Sequence, residues 1–174
     1  MQDQGLDRVI LEKLGMPVGE TPGLGPWRAF IERRANATEE LNIGLVGKYD
    51  LQDAYKSITE ALQQAGVYND RKVRCHFINS ENIRPDNVAE MLKGMSGYII
   101  CPGFGERGTE GKIIATRYCR EHNLPTFGIC LGMQMMVVEF GRNVLGYADA
   151  HSTELNNKTA HNVIDIMEEQ KNIT

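Results

Sequence analysis

From Leu41 onward, short apolar runs alternate with segments of helical periodicity, and this rhythm confines the chain to one fold class. Residues 42–47 (Asn-Ile-Gly-Leu-Val-Gly) read as a short buried strand. Residues 53–66 predict an amphipathic helix, with Ala54, Ile58, Ala61, Leu62 and Ala65 at helical spacing and Gly66 closing it. Residues 73–78 are expected as a second strand and 85–93 as a helix opened by Pro85. Residues 97–101 form a third strand, and a helix over 110–122 turns Ile113, Ile114 and Tyr118 inward. Residues 125–129 are the fourth strand and 131–145 the helix after it, with Leu131, Met133, Met136, Val137, Phe140 and Val144 on one broad face. Strands alternating with helices call for an α/β architecture of three layers, a mostly parallel sheet with helices on both faces. Its crossovers are right-handed.

The flanks read differently. Residues 1–15 predict a short helix with Leu6, Ile10, Leu11 and Leu14 on one side. Residues 16–26 carry three prolines and three glycines and read as a linker. Residues 27–40 predict a charged helix with Trp27, Phe30 and Ile31 on its apolar side. The first forty residues therefore read as a connector, and 41–174 as the α/β domain. At the other end, 149–154 read as loop or edge structure and 162–167 as a short strand. A sheet left there has an open edge, so the domain is expected to be incomplete at its C-terminus.

Composition excludes several classes. With 41% hydrophobic and 24% charged residues the chain can build a core. A net charge of −4 without a basic block argues against nucleic acid as a partner. No apolar run is long enough to span a membrane, and the first residues do not form a signal peptide. Cys75, Cys101, Cys119 and Cys130 lack metal spacing, so no metal site is expected and a reducing, cytoplasmic setting is the simplest reading. The first three of these cysteines are expected to fill core.

Cys130 is different. In Gly128-Ile129-Cys130-Leu131-Gly132 an apolar strand ends at a cysteine with glycine two residues to either side. This is the cysteine form of the nucleophile elbow, where a strand turns sharply into a helix. The flanking glycines leave room in a crowded turn, and the helix N-terminus favours thiolate over thiol. Acyl transfer also needs two backbone N–H groups aimed at the developing oxyanion. One comes from the residue after the nucleophile, Leu131. The glycine-rich loop after the third strand, Cys101-Pro102-Gly103-Phe104-Gly105, offers Gly103 for the other.

These two stretches resemble the class I glutamine amidotransferases, which have a flavodoxin-like fold. The ordered series Gly47-Lys48-Tyr49, Asp53-Ala54-Tyr55-Lys56-Ser57, Phe104-Gly105-Glu106-Arg107-Gly108, Gly128 to Gln134, Ser152-Thr153-Glu154, Val163-Ile164-Asp165 and Glu169-Gln170-Lys171 is similar to the CTP synthase family within them. The resemblance implies that residues 1–40 correspond to the end of a synthetase domain plus linker, and 41–174 to the N-terminal part of a glutaminase domain. It implies Cys130 as the nucleophile on glutamine, with Gly103 and Leu131 as oxyanion donors. Phe104, Gln134 and Glu154 would bind glutamine, Glu154 by pairing with its ammonium group. Arg107, Gly108 and Glu110 would form the loop through which GTP activates the glutaminase. No cofactor is expected in this chain itself. ATP and Mg belong to the synthetase domain, the released ammonia aminates UTP, and the full-length enzyme would be a homotetramer.

Two departures stand out. Pro102 replaces the first glycine of the family's Pro-Gly-Gly-Phe-Gly, which leaves Gly103 in place. The family's base is a His with a Glu two residues beyond, but His76, His122, His151 and His161 are followed at that distance by Ile78, Leu124, Thr153 and Val163. The chain is thus expected to be a fragment with little glutaminase activity, the alternative being a non-catalytic amidotransferase-like binding module. Several plainer assignments complete the reading. His151 is expected as a solvated loop residue. Residues 44–48 and 105–112 fail as phosphate loops, the first lacking Ser or Thr after its lysine and the second having five residues between its glycines. The methionines at 133, 135 and 136 are expected as packing.

Overall fold

The computed structural model describes residues 2–19, 23–49, 52–167 and 169. Of the motifs named above, Gln170 and Lys171 lie outside the described residues, as do Glu20, Thr21 and Pro22 of the expected linker. The chain divides into two compact units, Met1–Asn36 and Ala37–Thr174.

The smaller unit holds helices α1 (Leu6–Lys13) and α2 (Gly25–Asn36), neither of which has a buried residue. Within α2, Trp27 stacks on Phe30 at 5.3 Å between ring centroids. The helix expected to reach residue 40 stops at Asn36, because Glu39 and Glu40 are recruited into strand β1 (Glu39–Gly47). There they pair in register with Arg71 and Lys72 of β2 (Arg71–Asn79), and Arg71 and Arg74 meet Glu39 and Glu40 at 2.9 and 2.8 Å. The Arg74 guanidinium holds the Glu40 carboxyl below its ordinary range.

In the larger unit β1 lies between β2 and β3 (Gly97–Ile100), and β3 pairs with β4 (Thr126–Gly128), all parallel in the order β2-β1-β3-β4. Alternate residues of the strands feed two cores. On one face Leu45 and Ile99 pack with Tyr55, Ile58 and Leu62 from the segment and helix α3 (Lys56–Tyr68) that follow β1. On the other, Val46, Ile78, Tyr98 and Ile100 meet Val88 and Leu92 around helix α4 (Val88–Met91), together with Ala115 and Cys119 of α5 (Thr109–Glu121). Helix α6 (Leu131–Asn143) lies against α5, with Ile113, Leu131, Met135 and Val138 in a third cluster. The three-layer, mostly parallel α/β fold is thus present. A separate two-stranded parallel ribbon joins β5 (His151–Ser152) to β6 (Asn162–Ile164). Among the described residues no helix is long and apolar enough to cross a membrane.

Three local expectations are corrected. Gly66 does not end α3 but sits inside it, where a Cβ would lie 2.7 Å from the Arg71 carbonyl oxygen; the glycine serves close helix–strand contact. The helix over 85–93 shrinks to the single turn of α4. Ahead of it the Asn87 side chain accepts the Arg84 N–H at 2.8 Å, and such local side-chain bonds compete with helix. Helix α6 buries Leu131, Gly132, Met135, Val138, Glu139 and Gly141, whereas Met133, Val137, Phe140 and Val144 are exposed. Its inner face accepts Glu139 because Arg120 of α5 pairs with that carboxylate at 2.8 Å.

Candidate active site

In an open parallel sheet ligands bind beyond the carboxyl ends of the strands, at the point where the strand order reverses. Here the order reverses between β1 and β3, since β2 lies on one side of β1 and β3 on the other. Lys48 follows β1, the Cys101–Gly105 loop follows β3, and Cys130 follows β4 after one intervening residue, Ile129. The topology therefore gathers the candidate residues at one end of the sheet.

Cys130 is the N-cap of α6 and has φ 52° and ψ −117°, a positive-φ conformation that a cysteine rarely adopts. Such strain persists only where the surroundings impose it. Here they do. The Ile129 N–H donates to the Ile100 carbonyl at 3.0 Å, and the Gln134 N–H donates to the Cys130 carbonyl at 3.1 Å. A Cβ on Gly132 would lie 1.9 Å from the Ile100 carbonyl oxygen, and one on Gly128 would lie 2.7 Å from the Met133 backbone nitrogen. Both glycines of the elbow are sterically required, and the Cys130 thiol is left exposed and unpaired with another cysteine.

The loop after β3 comes to the same place. Gly103 is buried, and its Cβ position lies 3.8 Å from Leu131 Cδ2. Leu131 opens α6, so its N–H has no intrahelical acceptor. Phe104 is 79% exposed. Gln134 is half-buried, and its Oε1 is buried without a hydrogen-bond donor among the described residues. Leu155 packs against the cluster containing Leu131 and Met135, which brings the turn bearing the exposed Glu154 to the same helix.

The residues matched to an activator loop have partners within the chain. Arg107 pairs with Glu81, and Arg142 reaches Glu110 at 2.9 Å. Gly108, at φ 76°, precedes α5, and a Cβ there would lie 2.5 Å from Ser80 Oγ. A cleft of about 440 Å³ opens beside this helix start, lined in part by Glu81, Arg84, Gly108 and Glu110.

Two lysines that sequence reading set aside with the failed phosphate loops belong to the site. Lys48 is 5% exposed and donates to the Phe104 carbonyl. Lys112 is fully buried and donates to the Cys101 carbonyl at 2.7 Å. Burial, followed by a weaker push from Lys48, holds the Lys112 ammonium down to about 8, while Cys101 and Cys130 pull the other way. Burial also pushes the Cys101 thiol up to about 12. A signal for Lys112 exists: Thr109, Lys112, Ile113 and Thr116 share the inward stripe of α5 and all are buried.

Among the described residues no histidine is hydrogen-bonded to Cys130. His76 contacts Asn42, His122 the Tyr118 carbonyl, and His161 the Asp149 carboxylate. That contact, with help from the Ala160 N–H, holds the Asp149 carboxyl down at about 2. His151, expected in solvent, is buried, and its Nδ1 accepts the Ser152 N–H at 2.9 Å; pairing of β5 with β6 draws it inside. No group of three or more metal-ligating side chains occurs among the described residues.

Comparison with known proteins agrees with this geometry. The chain is 69% identical to a CTP synthase of Bacteroides thetaiotaomicron over all of this chain and 33% of that one. It is 56% identical to a CTP synthase of Flavobacterium johnsoniae over the same shares. The chain thus spans about a third of the length of these relatives. Among solved structures it is similar to the glutaminase domain of Trypanosoma brucei CTPS with bound acivicin, with a TM-score of 0.71 and 35% identity, over 76% of this chain and 52% of that one. The family model for "Glutamine amidotransferase class-I" matches residues 50–173, from just after Tyr49 through the elbow and β6. A cysteine elbow at the carboxyl end of a parallel sheet, a glycine loop beside it and this match together place the chain in the class-I glutamine amidotransferase family.

Proposed function

We propose that Cys130 is the nucleophile of a glutaminase site that forms a glutamyl thioester and releases ammonia. The observation that carries this reading is the strained Cys130 backbone, held at the start of α6 by two sterically required glycines. The N–H groups of Gly103 and Leu131 are the oxyanion donors. Gln134, whose Oε1 is buried and undonated, binds glutamine together with Glu154 and Phe104. In the whole protein this domain serves a CTP synthase. Its ammonia passes to a synthetase domain that binds ATP and Mg and aminates UTP, within a cytoplasmic homotetramer. GTP acts through Arg107, Gly108 and Glu110. Residues 1–40 belong to the synthetase end and linker, and 41–174 to the glutaminase.

The chain alone is expected to turn glutamine over slowly, because among the described residues no His is hydrogen-bonded to Cys130, and none in the sequence is followed by the orienting Glu. That same fact favours, as a second reading, a module that binds glutamine without hydrolysing it. Incubation with acivicin, the compound bound to the trypanosomal domain, followed by peptide mass mapping tests the site. Modification confined to Cys130 and blocked by glutamine is expected. Labelling of Cys119 instead overturns the assignment. Glutamate release from glutamine by the purified chain then separates slow catalysis from binding alone.

A further inference from the structure

Lys112 stands where local stability argues against a cation. It is fully buried, and desolvating an ammonium is costly unless a counter-charge or several acceptors compensate. Its hydrogen-bond partner is one neutral carbonyl, that of Cys101. It lies in the first turn of α5, the end of a helix that repels positive charge. A second lysine, Lys48, is nearly as buried and close enough to disfavour its charge further. The two ammonium groups come from different elements yet converge on one short loop. Lys112 takes the carbonyl two residues before Gly103, and Lys48 takes the carbonyl one residue after it. Gly103 itself is packed between them, its Cβ position lying 3.2 Å from Lys48 Cε and 3.7 Å from Lys112 Nζ.

We propose that Lys48 and Lys112 are positioning residues for the oxyanion hole, gripping the Cys101 and Phe104 carbonyls on either side of Gly103 so that the intervening peptide cannot rotate its N–H away from the thiol. The inference rests on the glutaminase reading, in which Gly103 is an oxyanion donor. An oxyanion donor is useful only when its direction is fixed before charge develops, and a glycine peptide is otherwise free to turn. Carbonyls anchored on both sides remove that freedom. The lysines touch no substrate in this scheme; they act through the loop.

Two reagents on the 174-residue chain test the idea. Diazo-oxo-norleucine, a glutamine analogue, presents a ketone where the amide carbonyl would lie and so depends on the oxyanion hole. Iodoacetamide needs only the thiolate. The ratio of the two alkylation rates at Cys130 cancels any change in thiol ionisation. In Lys112→Met and Lys48→Met the ratio is expected to fall at least about tenfold, the loss of a single oxyanion donor costing about 10²–10³ in rate. Lys112→Gln retains a donor for the Cys101 carbonyl and should recover part of the loss. Ratios within about twofold of the unsubstituted chain in Lys48→Met overturn the proposal, even if Lys112→Met fails to fold. Failure of the unsubstituted chain to react with diazo-oxo-norleucine, while iodoacetamide still modifies Cys130, defeats the glutaminase reading itself and the proposal with it.

Discussion

A buried lysine leaves a signature in the pH dependence of stability. Burial is the main reason the folded-state value for Lys112 is about 8, well below the 10.5 of an unperturbed lysine. Between those values the unfolded chain binds more protons than the folded one, so this group makes stability rise with pH. Below about 8 both states carry the charge and the burial cost is present in full. As pH climbs from about 8 towards 10.5 that cost disappears. Lys48, Cys101 and Cys130 face the same ammonium, so the clean comparison is with Lys112→Met. Urea unfolding across this range should show the unsubstituted chain gaining stability relative to Lys112→Met as pH rises; a constant difference would contradict the assignment. At this scale the sequence is uneven to read. Cys130 announces itself because only an elbow needs glycines at both 128 and 132. Lys48 and Lys112 stay hidden because lysine is usually a surface residue, and only the inward stripe of Thr109, Ile113 and Thr116 points to the second of them.

Helix α6 shows why an element can be legible while its orientation is not. Its start, after a glycine-flanked cysteine, follows from the sequence, but the helix is apolar nearly all round. Periodicity alone then favours the broad face of Leu131, Met133, Met136, Val137, Phe140 and Val144, of which Leu131 and Met136 do pack inward while Met133, Val137, Phe140 and Val144 prove exposed. The true inner face carries Gly132, Glu139 and Gly141, whose selection depends on neighbours. Gly132 is pressed against the Ile100 carbonyl, Glu139 is matched by Arg120, and a Cβ on Gly141 would lie 3.0 Å from Ala150 Cβ. The two faces should differ sharply in energetics. Met135→Ala is expected to cost about 2–5 kcal/mol, since it empties a fully buried site. Val137→Ala, on the exposed face, should stay within about 0.5 kcal/mol. Urea titration of both variants decides, and equal costs would restore the face suggested by periodicity. The β5–β6 ribbon escapes a full reading for another reason: strands of two and three residues are too short to show alternation.

For the whole α/β unit, the alternation of strand and helix was enough to recognise a parallel sheet, because each parallel pairing demands a crossover. The order β2-β1-β3-β4 is a property of long-range packing, and it is what puts Lys48, Gly103 and Cys130 at one end. The same order leaves β4 at an edge among the described residues, with Phe127 on it 64% exposed. The outer stripe of α6 adds Val137 and Phe140, and Val144, Leu145 and Tyr147 follow just beyond the helix. An unpaired parallel strand bearing an exposed aromatic invites pairing with another chain, and apolar stripes of this kind associate in water. The isolated 174-residue chain should therefore self-associate as concentration rises in sedimentation velocity, and it should bind an apolar dye such as anilinonaphthalene sulfonate. Phe127→Lys combined with Phe140→Glu places charge on both surfaces without touching a buried position, and should shift the chain towards monomer with weaker dye fluorescence. A chain that stays monomeric at high concentration and binds no dye would mean that these surfaces are covered in solution. The arrangement of β4 and α6 described here would then need revision, and with it the setting of Cys130 between them.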